Sequence, residues 1–150
     1  MTHSYRIHYF HFIWSTKQRL PLILPDVQPR LYLYLMAITR NHSGKILAIG
    51  GMRDHIHLLI ELSNLDNFSS FVKELKTSST LWIHKNFPDL KDFAWQEGYG
   101  SFSVSYSSVE SVKKYIENQE QHHSNMSYDD EFLKFLKLHK VEYDERFVLG

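Results

Sequence analysis

A segment of nine residues, DHIHLLIEL at positions 54–62, constrains the fold of this chain more than any other. Side chains of a β-strand alternate between the two faces of the sheet. One face of this strand carries four aliphatic residues: Ile56, Leu58, Ile60 and Leu62. We expect helices to cover that face. His55 and His57 share the opposite face, which in a two-layer fold is open to solvent.

The remainder of the chain alternates between strand and helix patterns. The predicted strands cover residues 5–14, 45–49, 55–62 and 101–106. The predicted helices cover residues 30–40, 66–87, 107–123 and 129–139, with Asp66 as an N-cap and Ser107 and Glu110 as a capping box. This order predicts an α+β fold, a ferredoxin-like split βαβ sandwich. It has an antiparallel sheet with helices on one face, plus C-terminal helices.

The composition favours one domain over residues 1–150 with a dense core, because 43% of the residues are hydrophobic and 15% are aromatic. The absence of cysteine excludes disulfides, thiolate metal sites and cysteine nucleophiles. Seventeen basic and seventeen acidic residues give a formal net charge of zero, which disfavours a general nucleic-acid coat protein but allows a local basic groove. We expect a cytoplasmic protein, since neither a signal peptide nor a membrane segment is visible in the sequence.

The histidine pair on the third predicted strand indicates a metal site. Imidazoles two residues apart on one strand face can converge on a single cation, and histidine is not a favoured strand residue. The chain contains ten histidines. The alternative interpretation is that His55 and His57 are ordinary polar residues on a solvated face.

The helix predicted over residues 107–123 places Tyr115 and Gln119 four residues apart, and therefore on one face, with His122 close by. Tyr115 could simply be an amphipathic residue at the rim of the core. In the functional interpretation, its phenol attacks a DNA phosphate and keeps the bond energy in a phosphotyrosine. His55, His57 and the Gln119 amide oxygen would hold a divalent metal and leave positions open for phosphate, which favours Mg²⁺ or Mn²⁺ over structural zinc.

These residues resemble the single-tyrosine HUH transposases of small bacterial and archaeal insertion sequences. His55-Ile56-His57 matches the histidine–apolar–histidine motif, and Tyr115 with Gln119 looks like the catalytic helix of that family. Residues 11–17, 95–105 and 141–146 are also similar. The resemblance implies a ferredoxin-like fold and a homodimer, in which one subunit's histidine pair can work with its partner's tyrosine. It further implies cleavage of single-stranded DNA with hairpin ends through a 5′-phosphotyrosine.

Six basic residues are candidate DNA contacts, although charged side chains on helices are usually just solvated: Lys17, Arg19, Lys73, Lys76, Lys113 and Lys114. Lys113 and Lys114 are favoured because they flank Tyr115. Three other functions remain open. The chain could be a non-catalytic or domesticated single-strand-binding module, an initiator of replication or mobilisation, or a relative that serves dispersed palindromic repeats.

Overall fold

The computed structural model describes residues 3–150, so residues 1 and 2 of the predicted domain lie outside it. The strands are β1 (His8–Ser15), β2 (Gly44–Met52), β3 (His55–Leu62) and β4 (Gly100–Val104). The helices are α1 (Gln28–Asn41), α2 (Phe68–Asn86), α3 (Val109–Glu117), α4 (Gln119–His122) and α5 (Tyr128–Leu138). Short 3₁₀ turns cover Lys17–Arg19, Pro88–Leu90 and Tyr106–Ser108.

The strands form one antiparallel sheet in the order β2-β3-β1-β4. Apart from the 3₁₀ turns, the chain runs β1-α1-β2 and then β3-α2-β4, and the two central strands are β1 and β3. This arrangement is the ferredoxin-like split βαβ sandwich predicted from the sequence. The register sets Ser15 beside His55 and Ile13 beside His57, so the end of β1 shares a face with the histidine pair.

The first face of the sheet packs against α1 and α2, as the pattern of β3 predicts. The aliphatic residues of β3 are buried there with Phe12 and Trp14 of β1. They contact apolar side chains from both helices: Leu31, Leu35, Ile38, Phe71, Val72, Leu75 and Ile83. This cluster is the main core of the protein and fixes β3 as a central strand.

The second face is not open, and our expectation of two solvent-exposed imidazoles is wrong. Helices α3, α4 and α5 cover this face, and both His55 and His57 have 0% of their surface exposed. Two apolar clusters hold the helices there. Val109 and Ile116 of α3 pack with Ala48 and Leu59, and α5 packs on Ile13 and Phe102 through its own apolar stripe. Because both clusters remove apolar side chains from water, burial stabilises this covering layer on the sheet.

The predicted helix ends differ from the observed ones. The helix expected over residues 107–123 is interrupted at Asn118, which separates α3 from α4. The Ser107 and Ser108 hydroxyls bond the Ser105 hydroxyl, so the predicted capping box with Glu110 does not form. Asn67 precedes α2 with a φ of 61°, a left-handed conformation that asparagine tolerates, and so replaces Asp66 as the N-cap.

One cap is well formed. The Ser127 side chain accepts a hydrogen bond from the Asp130 amide at the start of α5. Within residues 3–150, every helix is too short or too polar to cross a membrane.

Candidate active site

The candidate site lies between the second face of the sheet and the three C-terminal helices. Strand β3 contributes His55 and His57, α3 contributes Tyr115, and α4 contributes Gln119. The carboxylate of Glu131 reaches the same point from α5. The structure therefore brings together all four residues that the sequence indicated for chemistry and adds an acidic group.

The position of α3 depends on a close approach to β2 at Gly50. A Cβ atom built on Gly50 would lie 2.2 Å from the backbone oxygen of Ile116. Only glycine allows the two backbones to come this close. Ile116 directly follows Tyr115, so this contact sets how far the phenol stands above the sheet.

Each of the three histidines around Glu131 is held through its Nδ1 atom. The Nδ1 of His55 is 2.7 Å from Asp54 Oδ1, and the Nδ1 of His57 is 2.7 Å from His11 Nε2. His123, from the end of α4, bonds the backbone oxygen of Met126 through Nδ1. These contacts turn all three Nε2 atoms toward one point, as outer partners do around metal-binding histidines.

Glu131 Oε1 occupies the centre of this cluster. It lies 2.9 Å from the Nε2 atoms of both His57 and His123, and 3.5 Å from the Nε2 of His55. Gln119 Oε1 lies 3.0 Å from His55 Nε2. The carboxylate is fully buried, which is costly unless charge partners compensate for the loss of water.

The Tyr115 hydroxyl donates a hydrogen bond to Glu131 Oε2. The same carboxylate thus bridges the phenol and the imidazoles, and the rings of Tyr115 and His57 have centroids 5.9 Å apart. The ring of His122 stacks on Tyr115 with centroids 4.2 Å apart. Burial and the bond to Glu131 raise the pKa of Tyr115 well above its ordinary value, so the resting phenol is protonated.

Burial controls the protonation of two histidines in the cluster. It lowers the pKa of His57 to about 4, against the opposing attraction of Glu131. It also lowers the pKa of His11 to about 3, with a further contribution from His57. Both imidazoles are therefore neutral at pH 7, the form that binds metals.

The donor set fits a divalent cation. Ligand atoms of His55, His57, His123 and Glu131 all lie within 4.8 Å of one another. Imidazole nitrogen and carboxylate oxygen are common ligands of divalent metals. All three predicted ligands, His55, His57 and Gln119, lie at this point.

The phenol of Tyr115 remains accessible from one side. It is half-buried and borders a cleft of about 280 Å³ between α3 and α5. The cleft is lined by His11, Ser111, Val112, Lys134, Phe135 and Leu138. A substrate group can therefore approach the phenol, although the histidines behind it are buried.

Two of the basic residues that were candidate DNA contacts make internal bonds. Lys76 donates to the backbone oxygens of Gln96 and Gly98 at 2.7 and 2.6 Å, and its partial burial lowers its pKa to about 8. Arg19 forms a 2.7 Å ion pair with Asp129. Lys76 thus ties α2 to the loop before β4, and Arg19 ties the turn after β1 to the start of α5.

The other four basic candidates are closer to solvent. Lys17, Lys73 and Lys114 are exposed. Lys113 is half-buried, with its Nζ 3.9 Å from Glu110. Lys113 and Lys114 lie on the helix that carries Tyr115, and Lys17 and Lys73 lie elsewhere on the fold.

The sequence analysis missed three residues of the cluster: His11, His123 and Glu131. A signal was present for Glu131. It lies at helical spacing within the buried stripe formed by Tyr128, Phe132 and Leu136, where a carboxylate is unfavourable without partners. His11 alternates with Ile13 and Ser15 on β1, but only the strand register places it beside His57.

The fold and the site define a class of protein in which a His-x-His strand of a ferredoxin-like sheet faces a tyrosine on a later helix. The family described as "Transposase IS200 like" matches residues 4–119, so the chain belongs to this transposase family. Membership implies an enzyme that cuts DNA. His55, His57, Tyr115 and Gln119 lie inside the match, and His123 and Glu131 lie beyond it.

Individual relatives agree with this assignment. The chain is 29% identical to the ISDra2 transposase TnpA of Deinococcus radiodurans over 115 residues, covering 73% of this chain and 82% of the relative. It is 27% identical to the transposase for insertion sequence element IS200 of Salmonella typhimurium over 116 residues, covering 73% and 75%.

Two solved structures share the fold. A crystal structure described as a Deinococcus radiodurans transposase superimposes with a TM-score of 0.64 at 29% identity, covering 79% of this chain and 96% of that one. A REP-associated tyrosine transposase bound to a REP hairpin gives 0.56 at 21% identity, covering 77% and 68%. At that identity, the second likeness is evidence of the fold alone.

Proposed function

We propose that this transposase cleaves and rejoins single-stranded DNA at insertion-sequence ends, with Tyr115 as the nucleophile. His55, His57 and Gln119 hold a divalent metal, Mg²⁺ or Mn²⁺, beside it. One observation carries the proposal: the phenol and both imidazoles of a single chain meet at one carboxylate. A module that only bound DNA would not need this arrangement.

The reaction is a phosphoryl transfer to the phenol. The Tyr115 oxygen forms a bond to the phosphorus of the scissile phosphate, and the bond from phosphorus to the 3′ oxygen breaks. The phenol loses its proton and the departing 3′ oxygen gains one. The product is a 5′-phosphotyrosine with a free 3′-hydroxyl, and attack by another 3′-hydroxyl reverses the step and joins the strands.

Glu131 favours loss of the phenol proton during attack. Glu131 already accepts the hydrogen bond from the hydroxyl, so the carboxylate aligns it. The raised pKa of the resting phenol means that deprotonation must accompany attack rather than precede it. When bound, the metal supplies Lewis-acid polarisation of the phosphate.

The cleft of about 280 Å³ beside Tyr115 is the proposed entrance for the scissile phosphate. Lys134 lies at its lining, and Lys113 and Lys114 precede the tyrosine on α3. These ammonium groups can attract a phosphate backbone even though the net charge of the chain is zero.

The proposed partner is single-stranded DNA with hairpin ends. The REP-associated neighbour was solved with a hairpin bound, and the sequence resemblance implies the same kind of substrate. A homodimer is also implied by the resemblance and stays a prediction, as does a cytoplasmic location. The phenol and histidines of one chain already meet, so the proposed site forms within a single subunit.

The test uses labelled single-stranded oligonucleotides that tile the DNA flanking the gene, with Mg²⁺ or Mn²⁺. We expect a covalent protein–DNA adduct on denaturing gels for the wild type, none for Tyr115→Phe, and a severe loss for His57→Ala. The matched control is Tyr106→Phe, since Tyr106 is 79% exposed just before α3. An adduct of undiminished yield in Tyr115→Phe would refute the assignment of the nucleophile.

A further inference from the structure

Two residues from the C-terminal helices, His123 and Glu131, point at the same site as the histidine pair. Both lie beyond residues 4–119, the part matched by the transposase family. We propose that His123 and Glu131 are metal ligands, so that a third imidazole and a carboxylate join His55, His57 and Gln119 at the cation and leave a position for the phosphate. This inference rests on the proposed function for the presence of a metal, and it identifies which side chains bind it.

Oxygen atoms surround the ring nitrogens of His55. Both ring nitrogens of His55 face oxygen acceptors: Asp54 Oδ1 on one side, and Gln119 Oε1 and Glu131 Oε1 on the other. Because a neutral imidazole carries only one N–H, oxygen atoms at both ring nitrogens are the surroundings that a bound cation would complete.

His123 has similar surroundings. Its Nδ1 meets the Met126 backbone oxygen and its Nε2 lies 2.9 Å from Glu131 Oε1. A backbone carbonyl can only accept, so Nδ1 carries a proton and Nε2 is the atom available to a metal. One metal ion among these atoms would bind the Nε2 atoms of all three histidines and the carboxylate.

The distances agree with shared coordination. Ligand atoms about 2.1 Å from a tetrahedral metal lie roughly 3.4 Å apart, and neighbouring ligands of an octahedral metal lie roughly 3.0 Å apart. Glu131 Oε1 lies 2.9, 2.9 and 3.5 Å from the three Nε2 atoms. The whole ligand set lies within 4.8 Å, so to hold a metal Glu131 Oε1 would give up the central position and the imidazoles would close around the metal.

The outer contacts fix the histidines in the orientation that a metal requires. Asp54 holds His55, His11 holds His57, and the Met126 carbonyl holds His123, each through Nδ1. Such outer partners orient metal-binding imidazoles and raise their basicity. The site is therefore preorganised, with every Nε2 directed at the centre.

This ligand set changes the expected metal. Three imidazoles favour a transition-metal ion such as Mn²⁺ or Zn²⁺ over Mg²⁺, which prefers oxygen ligands and keeps several waters. Glu131 would bind the metal through Oε1 while Oε2 keeps its bond to Tyr115. The carboxylate that binds the metal would then also position the phenol. His123 and Glu131 thus link metal binding to placement of the nucleophile.

The test is isothermal titration calorimetry of the full chain with Mn²⁺, with Zn²⁺ and with Mg²⁺. We expect Glu131→Gln and His123→Gln each to weaken binding by about 10- to 100-fold or more, since loss of even an outer partner costs that much. The matched control is Asp130→Asn, the same type of change at an exposed neighbour on α5, which should bind like the wild type. Circular dichroism in EDTA checks the fold, and if Glu131→Gln does not fold, His123→Gln decides.

The outcomes separate this inference from the proposed function. If His57→Ala loses affinity while Glu131→Gln and His123→Gln bind like Asp130→Asn, the metal site stands and this inference is overturned. If His57→Ala also keeps wild-type affinity, the metal site of the proposed function fails as well. Wild-type binding of Mg²⁺ as tight as that of Mn²⁺ and Zn²⁺ would contradict the predicted preference for a transition metal.

Discussion

Replacing Gly50 by alanine is a sharp test of how the fold positions the nucleophile. The new Cβ would lie 2.2 Å from the backbone oxygen of Ile116, where an ordinary contact is about 3.5 Å. Neither atom belongs to a flexible side chain, so β2 and α3 must separate by about 1 Å. Tyr115 moves with α3 because it immediately precedes Ile116.

Two effects of different size should follow. Overpacking of this kind costs about 1 to 3 kcal/mol of the free energy of unfolding. A displacement of about 1 Å at a reacting group can slow a reaction about 100-fold. We therefore expect Gly50→Ala to remain folded at 25 °C and to lose most of its rate of adduct formation.

The matched control is Gly44→Ala, the same change at the other end of β2. Its Cβ would approach the Leu62 and Thr39 side chains at 2.8 and 3.0 Å, far along the strand from α3. It should lower stability by a similar amount and leave the rate unchanged. Urea unfolding and single-turnover adduct formation measure the two quantities. If Gly50→Ala forms the adduct as fast as Gly44→Ala, the close approach at Gly50 does not position the phenol.

Three further predictions concern the charges and the assembly of the site. In EDTA, the free energy of unfolding should fall as the pH drops from 6.5 toward 4, by about 1.4 kcal/mol per pH unit for each of His11 and His57. The reason is that both imidazoles become protonated in the unfolded chain, while burial lowers their pKa values in the folded chain to about 3 and about 4. If the free energy of unfolding measured with urea does not change over this pH range, the two rings are not buried in neutral form. Mixing inactive Tyr115→Phe with inactive His57→Ala should not restore the adduct, because one chain builds the proposed site, and recovery on mixing would show that partner subunits exchange tyrosines. Lys113→Ala with Lys114→Ala should weaken single-strand binding in fluorescence anisotropy and reduce its salt slope by about 1 to 2, whereas an unchanged slope would remove both lysines from the interface.

The sequence was sufficient to predict the sheet and its packing on one side. The alternation of Ile56, Leu58 and Ile60 against His55 and His57 is a local property of the strand, and local periodicity determines which face is apolar. The spacing of Tyr115 and Gln119 also placed both on one side of the chain, and they do meet at the histidines. Local pattern therefore identified the residues that the structure brings together.

The environment of those residues could not be predicted, because it depends on contacts between distant segments. The second face appeared open because the apolar stripe of α5 indicates that this helix is packed but not that it packs over β1. The position of Glu131 within the apolar stripe of α5 indicates burial, but only the position of α5 over the sheet makes it a partner of three histidines. His11 likewise becomes relevant through strand register alone.

The most direct test of the central claim is mass spectrometry of the covalent adduct after nuclease trimming and trypsin digestion. Cleavage after Lys114 and Lys134 releases residues 115–134, a peptide with two tyrosines, Tyr115 and Tyr128. The mechanism predicts that fragmentation will place the 5′-phosphonucleotide on Tyr115. A nucleotide on Tyr128, on any residue outside this peptide, or cleavage of the DNA with no attached nucleotide would contradict it.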